Sequence, residues 1–257
     1  MPTPARTIDL NADVGEGYGA WPTPADADLF PLISSASIAC GFHAGDPTLM
    51  RETAALAARS GVTVGAHPGY PDLLGFGRRE LGASAPEVRD YVTYQVGAMM
   101  ACAAGAGTIV RYVKPHGALY NRGVREPVIA RAIADGVRVV DPGLALLGLA
   151  GSALLAAAAD AGLRPVPEAF LDRGYRADGS LVPRDQPGAL VEDPVAAASR
   201  AVGIVIQGEV QTADGGVIRV AAQSLCVHGD GPRAAAVLRA VRQALTAAGV
   251  SVAPFCQ

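Results

Sequence analysis

Four histidines stand beside turn-forming glycines, and this arrangement is typical of residues that do chemistry at a loop rim. His43, His67, His116 and His228 lie in HAG, HPG, HGA and HGD, so glycine follows each of them within two residues. Glycine tolerates positive φ and allows the backbone to approach closely, which keeps an imidazole at a crowded rim rather than deep in an apolar core. An imidazole serves as an acid, a base or a metal ligand near neutral pH. The spacing therefore predicts that the four histidines share a functional site.

Carboxylates accompany these histidines along the chain. The candidates are Asp13, Glu16, Asp46, Glu168 and Asp230. Converging imidazoles and carboxylates suit either general acid-base catalysis or the binding of a divalent metal. Both chemistries stay open, although no H-E-x-x-H or other local ligand spacing is present and a catalytic metal is not the favoured interpretation.

Lys114 is the only lysine of a chain that otherwise uses arginine. It follows an apolar run and precedes Pro-His-Gly, as at the end of a strand. Lysine is a compact point charge whose pKa changes readily on burial, so a proton-transfer or phosphate-binding site can require it specifically. We predict that Lys114 and His116 act together, and that Asn11, Arg78 and Arg79 contribute to substrate binding. A solvated lysine at a strand end is the alternative.

Other recognisable sites are missing from the sequence. The four cysteines show no C-x-x-C spacing, which argues against a zinc ribbon or a disulfide framework. Cys40 and Cys226 are interpreted as small buried residues. No G-x-x-x-x-G-K-[ST] loop occurs, and the glycines at 15, 17 and 19 lack the spacing of a dinucleotide fingerprint.

The elements that position these residues alternate between strand-like and helix-like segments, which predicts a parallel sheet closed into a barrel. Strands are predicted at 7–13, 35–43, 62–69, 109–117, 137–143, 164–172 and 224–230. Helices are predicted at 47–61, 86–107 and 231–249, with a further buried helix at 143–159 and a hairpin at 210–220. In such a barrel the polar residues at the carboxyl ends of the strands meet at one face.

Composition favours one large domain over residues 1–257, because half of the residues are hydrophobic and no linker divides the chain. The formal charge of −3 and the lack of a basic face argue against nucleic acid as a partner. The N-terminus shows neither a targeting signal nor a membrane span, so we expect a cytoplasmic protein without a membrane partner.

Six blocks in order, DLNADVGEGYGAW, IACGFHAGDP, VGAHPGYPDLLGFGRRE, VKPHGALYN, EAFLDRGY and SLCVHGDGP, resemble the LamB/YcsF family. The resemblance covers residues 8 to 245 and implies a distorted (β/α)7 TIM-like barrel, an α/β fold of the glycoside hydrolase/deacetylase type. Two positions depart from the family's usual pattern. Ser37 stands where asparagine is usual, and Leu171 stands where alanine is usual.

The resemblance further implies a subunit of an enzyme that opens the lactam of 5-oxo-L-proline to L-glutamate, coupled to hydrolysis of ATP as co-substrate, with Mg²⁺. Two further subunits, B and C, complete such an enzyme. On this basis Lys114 contacts the phosphoryl group or the lactam oxygen, and His116 transfers a proton. Asp13 and Glu168 serve as base or magnesium ligand. The other three histidines orient substrate or carry protons.

Two rival functions remain compatible with the sequence. A metal-dependent carbohydrate or amide hydrolase or deacetylase acting without ATP would share the barrel and its rim of histidines and carboxylates. A non-catalytic adaptor that only binds partner subunits is the other rival, although it would not need ionisable groups at so many strand ends. The sequence leaves open which subunit binds ATP and whether the chain forms a homo-oligomer.

Overall fold

The computed structural model describes residues 6–21, 26–229 and 233–256. Its main feature is a closed barrel of seven parallel strands, in which each strand pairs with the next and the last pairs with the first. The strands of the chain are β1 (Arg6–Val14), β2 (Ser35–Ala39), β3 (Thr63–His67), β4 (Val110–Val113), β5 (Ala145–Leu149), β6 (Arg164–Phe170), β7 (Glu209–Gln211), β8 (Val217–Arg219), β9 (Ser224–Val227) and β10 (Val250–Val252). Strands β1 to β6 and β9 form the barrel, which confirms the predicted α/β TIM-like fold.

Helices connect the barrel strands and pack outside them. They are α1 (Asp26–Leu29), α2 (Pro47–Ser60), α3 (Ala85–Gly105), α4 (Gly117–Arg125), α5 (Pro127–Val140), α6 (Ala153–Asp160), α7 (Pro194–Val202) and α8 (Ala234–Ala247). Asp46 caps the start of helix α2, where its side chain accepts from two backbone amides, and Gly61 caps the end with a positive φ of 67°. Helix α3 begins with a capping box formed by Ser84 and Glu87.

One predicted strand is wrong. The apolar run 137–143 forms the last turn of α5 and the turn after it, and the fifth strand is β5, within the segment predicted as a buried helix at 143–159. The run V-R-V-V satisfies a strand pattern, but Val137 is buried on the apolar side of an amphipathic helix whereas Val139 is exposed. Helix α6 occupies only the second part of the segment 143–159.

The predicted hairpin is confirmed. Strands β7 and β8 are antiparallel neighbours joined by the Asp214-Gly215-Gly216 turn, and they lie outside the barrel. Within the described ranges, none of the helices combines the length and the apolar character that crossing a membrane requires.

The two faces of β1 explain how a polar site is built inside the barrel. Asp9, Asn11 and Asp13 alternate with apolar residues, and all three are buried. Side chains alternate between the two faces of a strand, so the polar face of β1 lies on the interior side. Its neighbours in register are also polar, since Asp9 lies opposite Ser224 of β9 and Asp13 lies opposite Ser37 of β2.

An apolar cluster fills the other part of the barrel interior, formed by Tyr112, Ala145, Leu147 and Val166. The Tyr112 ring requires a glycine on β3, because a Cβ on Gly65 would lie 2.2 Å from that ring. The Tyr112 hydroxyl lies 3.1 Å from Ser37 Oγ. Ser37, one of the two departures from the family pattern, therefore contacts Tyr112 in the interior. The other, Leu171, packs in the main core.

Asp9 makes the stability of the barrel sensitive to pH. Ser34 and Ser35 donate to its Oδ1 at 2.7 and 2.6 Å, and Ser224 donates to Oδ2. Burial nevertheless raises the pKa of Asp9 from 3.8 to about 6. Between these two values the folded chain holds a proton that the unfolded chain has lost, so the free energy of unfolding falls as pH rises.

We expect the Asp9→Asn variant to gain about 2.5 kcal/mol of stability relative to the wild type between pH 4 and pH 7, since only the wild-type residue titrates. Urea unfolding of both proteins across this range measures the difference. Asp90→Asn, at an exposed position of α3, is the matched control. A difference between Asp9→Asn and the wild type that does not change with pH would contradict the prediction.

Candidate functional site

A cavity of about 420 Å³ opens at the carboxyl ends of the barrel strands. Asp13, His67, His116 and His228 line it, together with Phe170. The four polar groups come from β1, β3, β4 and β9 or the loops that follow them, so the chain contributes residues more than 200 positions apart. The structure thus brings together groups that the strand-end pattern predicted to converge.

Lys114 lies beneath this cavity as a buried cation. Its Nζ is 2.9 Å from Asp13 Oδ1, 3.1 Å from Asn11 Oδ1 and 3.4 Å from Glu168 Oε2. Cys226 Sγ lies 3.0 Å away. Burial disfavours the charged amine, but Asp13, Cys226 and Glu168 together outweigh that effect, and the pKa of Lys114 is raised well above its ordinary value. The solvated-lysine alternative is therefore wrong.

The position of Lys114 also changes its predicted role. Its side chain is only 2% exposed, and it does not line the cavity, whereas its partner Asp13 does. The charge of Lys114 acts on the cavity through Asp13, which it orients and keeps ionised. Glu168 and Asn11 lie at the same depth, and Asn11 Nδ2 also donates to Ser224 Oγ at 2.7 Å.

Three histidines and Glu16 form a second buried group beside Asp13. Glu16 Oε1 lies 3.2 Å from His43 Nε2 and 3.3 Å from His116 Nδ1, and His67 Nε2 lies 3.0 Å from His116 Nδ1. The ligand atoms of these four residues lie within 4.8 Å of one another. Burial lowers the pKa of both His43 and His116 well below the ordinary value, which favours neutral rings.

Close backbone approaches hold the histidine rings in place. His43 and His116 stack with centroids 3.7 Å apart and planes only 2° from parallel. Gly77 lies against both histidine side chains, since a Cβ there would come 2.7 Å from His43 Cβ and 2.8 Å from His116 Cδ2. Its φ is +63°, so both the space and the conformation require glycine. The GFG part of the GFGRRE loop thus closes over the histidines.

His228 stands on another side of the cavity with a carboxylate partner of its own. Its Nδ1 lies 2.8 Å from Asp172 Oδ2, and its backbone N–H donates to the same oxygen at 2.9 Å. The ring stacks on Phe170 at 5.3 Å. Because Nδ1 donates to the carboxylate, Nε2 of the neutral ring carries the lone pair.

Arginines surround the mouth of the cavity and make it electropositive. The lining arginines are Arg78, Arg125, Arg173, Arg176 and Arg184. Burial, reinforced by the like charge of Arg184, lowers the pKa of Arg173 to about 10. The five arginines outnumber the three carboxylates that also line the cavity, Asp13, Glu80 and Asp185, so the mouth favours an anionic ligand.

Two of the predicted substrate-binding residues, Asp46 and Arg79, do not line the cavity, and a third lies outside the described residues. Asp46 caps α2, and its Oδ2 accepts from the Gly19 amide at 3.0 Å, outside the cavity. Arg79 binds the carboxylate of Asp72 rather than lining the cavity, whereas its neighbour Arg78 does line it. Asp230 lies outside the described residues. A helix cap engages Asp46, and an ion pair with the buried Asp72 engages Arg79, so neither side chain converges on the site.

Three residues of the site carry no functional prediction from the sequence. Cys226, predicted to be a small buried residue, is buried, but its sulfur is in contact with Lys114. Asp172 is the partner of His228, and Tyr120 lines the cavity next to Phe170. Asp172 does stand at the end of a predicted strand, which is the signal that could have identified it.

The arrangement supports acid-base chemistry on a small anionic substrate. The cavity offers a buried carboxylate, Asp13, and an imidazole, His228, whose Nε2 is set up to accept a proton. The arginines at the mouth provide charge and bidentate donors for a carboxylate or a phosphate.

The sequence is similar, over nearly its whole length, to proteins of one family. Residues 8–257 match the family model described as LamB/YcsF family. The A subunit of a 5-oxoprolinase from Streptomyces coelicolor is 52% identical over 96% of this chain and 99% of the relative. The corresponding 5-oxoprolinase A subunit from Thermus thermophilus is 51% identical over 96% of this chain and 99% of the relative.

A solved structure agrees with these sequence relatives. The crystal structure of a lactam utilization protein from Thermus thermophilus superposes with a TM-score of 0.92 at 50% identity. The match covers 97% of this chain and all of the other one. The barrel described above is therefore also seen in a crystal structure of a similar sequence.

Proposed function

The chain belongs to the LamB/YcsF family, and we propose that it serves as the A subunit of a 5-oxoprolinase. The enzyme opens the lactam ring of 5-oxo-L-proline to L-glutamate and hydrolyses ATP to ADP and phosphate. ATP is a co-substrate, used with Mg²⁺, and 5-oxoprolinase subunits B and C are the partners. We also propose that the chain acts as a single catalytic barrel domain in the cytoplasm.

The main support for this proposal is that one cavity combines arginines at its mouth with the acid-base groups Asp13 and His228. The substrate 5-oxoproline is a small ring amide with one carboxylate. Its carboxylate matches the positive mouth, and its amide can then reach Asp13 and His228. Hydrolysis of an amide requires proton transfer to the leaving nitrogen, which these groups can perform.

The stability of the lactam explains why the reaction uses ATP. An amide in a five-membered ring is resonance-stabilised, and phosphorylation of the lactam oxygen produces an intermediate that water attacks readily. Within the chain, Asp13 is held ionised by Lys114 and lies 3.4 Å from His67 Nε2 through its Oδ2. His228, oriented by Asp172, is the residue that we assign to activation of water.

Reconstitution with the two partner subunits tests the function. We expect equal amounts of ADP and glutamate from 5-oxoproline when all three subunits and ATP are present, and no glutamate when any component is omitted. Release of product by this chain alone, without ATP, would contradict the proposal and support the metal-dependent hydrolase. Full activity of the B and C subunits without this chain would contradict it as well.

Arg78 provides a test of substrate binding at the mouth. Its guanidinium lines the cavity and lies 4.9 Å from the centre of the Phe76 ring. We expect Arg78→Gln to raise the KM for 5-oxoproline about tenfold, because a charge-assisted contact to the carboxylate is lost. Arg219→Gln, in the exposed hairpin, is the matched control. An unchanged KM in Arg78→Gln would remove Arg78 from substrate binding.

A further inference from the structure

The histidine cluster contains two ring nitrogens whose lone pairs face each other. His67 Nδ1 lies 2.7 Å from the backbone oxygen of Lys114, and His116 Nε2 lies 2.8 Å from the backbone oxygen of Phe76. A carbonyl oxygen only accepts, so both of these nitrogens must carry the hydrogen. In neutral rings the remaining nitrogens, His67 Nε2 and His116 Nδ1, are both acceptors, yet they lie 3.0 Å apart.

An oxygen of the Glu16 carboxylate lies close to the same two ring nitrogens. Glu16 Oε1 lies 3.3 Å from His116 Nδ1 and 3.9 Å from His67 Nε2. The side chains of all three residues are at most 4% exposed. Buried acceptors that face one another repel unless positive charge lies between them, and this repulsion is stronger at low local dielectric. The three atoms therefore require positive charge between them, which either a proton on one ring or a bound cation can supply.

The separations of these atoms match a coordination shell. A tetrahedral ion with bonds of about 2.0–2.1 Å places its ligand atoms about 3.3–3.4 Å apart. The three separations within the cluster are 3.0, 3.3 and 3.9 Å. A fourth ligand is available from Asp13, whose Oδ2 lies 3.4 Å from His67 Nε2.

The surroundings of the two histidines also fit metal ligands. A metal-bound histidine usually donates its other ring N–H to a carbonyl or carboxylate, as His67 and His116 both do. Their rings are close to perpendicular, at 86°, so both lone pairs can point at one ion.

His43 has a supporting role in this arrangement. It is stacked parallel to His116, so the two rings cannot both place an ion in their planes. Its Nε2 lies 3.2 Å from Glu16 Oε1 and can hold that carboxylate in place, and its buried Nδ1 has no hydrogen-bond partner in the described part of the chain.

We propose that Glu16, His67 and His116, with Asp13 as the fourth ligand, form a binding site for a divalent transition-metal ion such as Zn²⁺. Two imidazoles with carboxylates suit zinc, cobalt or iron, whereas Mg²⁺ prefers an all-oxygen shell. The inference goes beyond the proposed function, because it concerns this chain alone and requires neither ATP nor partner subunits.

Cobalt binding to the isolated chain tests the site without measuring activity. After removal of bound metal with a chelator, Co²⁺ should bind in a ratio of one ion per chain. It should give the visible absorption bands of a four-coordinate ion with nitrogen and oxygen ligands, and Zn²⁺ should abolish these bands by displacement. A wild-type chain that shows no bands and binds no Zn²⁺ in equilibrium dialysis would overturn the proposal.

Variants distinguish this site from other histidines of the cavity. His116→Gln and Glu16→Gln should each weaken Co²⁺ binding by at least about 100-fold, because each loses a direct ligand. His228→Gln is the matched control and should keep the wild-type affinity, since His228 binds Asp172 instead. Equal loss of affinity in the control would overturn the proposal. If a ligand variant fails to fold, the presence or absence of Co²⁺ bands in the wild-type chain still tests whether the site binds metal.

Discussion

Replacing Lys114 with methionine is expected to lower the free energy of unfolding by about 3–5 kcal/mol. Methionine keeps most of the volume of the stem, so the loss comes from charge rather than from a cavity. Asp13 and Glu168 would be left as buried carboxylates without the amine that lies 2.9 and 3.4 Å from them. Removal of one partner of a buried ion pair is costly for this reason, whatever the net contribution of the intact pair.

Urea unfolding of wild type and variant measures this loss. Arg111→Met is the matched control, because it removes an exposed cation from the same strand. A double variant, Lys114→Met with Glu168→Gln, removes one of the uncompensated charges and should recover part of the stability. Wild-type stability in Lys114→Met would show that the Lys114 ion pairs contribute nothing to the fold.

The same substitution should also reduce glutamate release by the reconstituted enzyme at least about 100-fold, because Asp13 loses the charge that orients it and keeps it ionised. Lys114→Arg separates this effect from unfolding. It keeps a positive charge, but a planar guanidinium cannot replace a point charge between Asn11, Asp13 and Cys226. Lys114→Arg should therefore stay folded and lose activity. Normal turnover in a folded Lys114→Arg variant would contradict a specific requirement for lysine.

The fold was predictable from the sequence where strands combine β-branched residues with a polar cluster at the carboxyl end. β5 has neither feature. Its sequence ALLGL contains no β-branched residue and no ionisable group, so it is indistinguishable from a helical segment by pattern alone. The run V-R-V-V at the end of α5 has the opposite problem, since its valines satisfy a strand pattern within a helix. Tertiary packing decides both cases.

Convergence of the site was predictable because it follows from strand order. In a parallel barrel every strand end is at the same face, so residues near Asp13, His67, Lys114 and His228 must meet there. Asp46 shows the limit of that argument. Asp46 also follows a strand, but it is the N-cap of α2. Its carboxylate accepts hydrogen bonds from backbone amides of that helix instead of facing the cavity.

Contacts between particular side chains were not predictable. The Asp172–His228 pair depends on β6 lying next to β9 although about 50 residues separate them in the chain. The facing nitrogens of His67 and His116 depend on backbone oxygens that fix each tautomer. Metal-ligand spacing could not reveal the proposed ion site either, because its ligands lie on or just after three different strands rather than on one helix.

Replacing His228 with alanine should lower the kcat of the reconstituted enzyme by about 10²–10⁴-fold, the range expected for loss of a general acid-base residue. His228 lines the cavity, and its bond to Asp172 leaves Nε2 to accept a proton from water. Because the arginines at the mouth are unchanged, the KM for 5-oxoproline should stay near the wild-type value. Added imidazole should restore part of the turnover by occupying the vacated space beside Phe170.

Asp172→Asn should lower kcat less, by about 10–100-fold, because the imidazole remains but loses the carboxylate that orients it. Asp178→Asn, whose carboxylate binds Ser180 at the surface, is the matched control. Imidazole should restore activity to His228→Ala but not to Asp172→Asn, since in the second variant the ring still fills the site. A His228→Ala variant with normal kcat would exclude His228 as the base. Rescue of both variants alike would place the effect of imidazole outside this cavity.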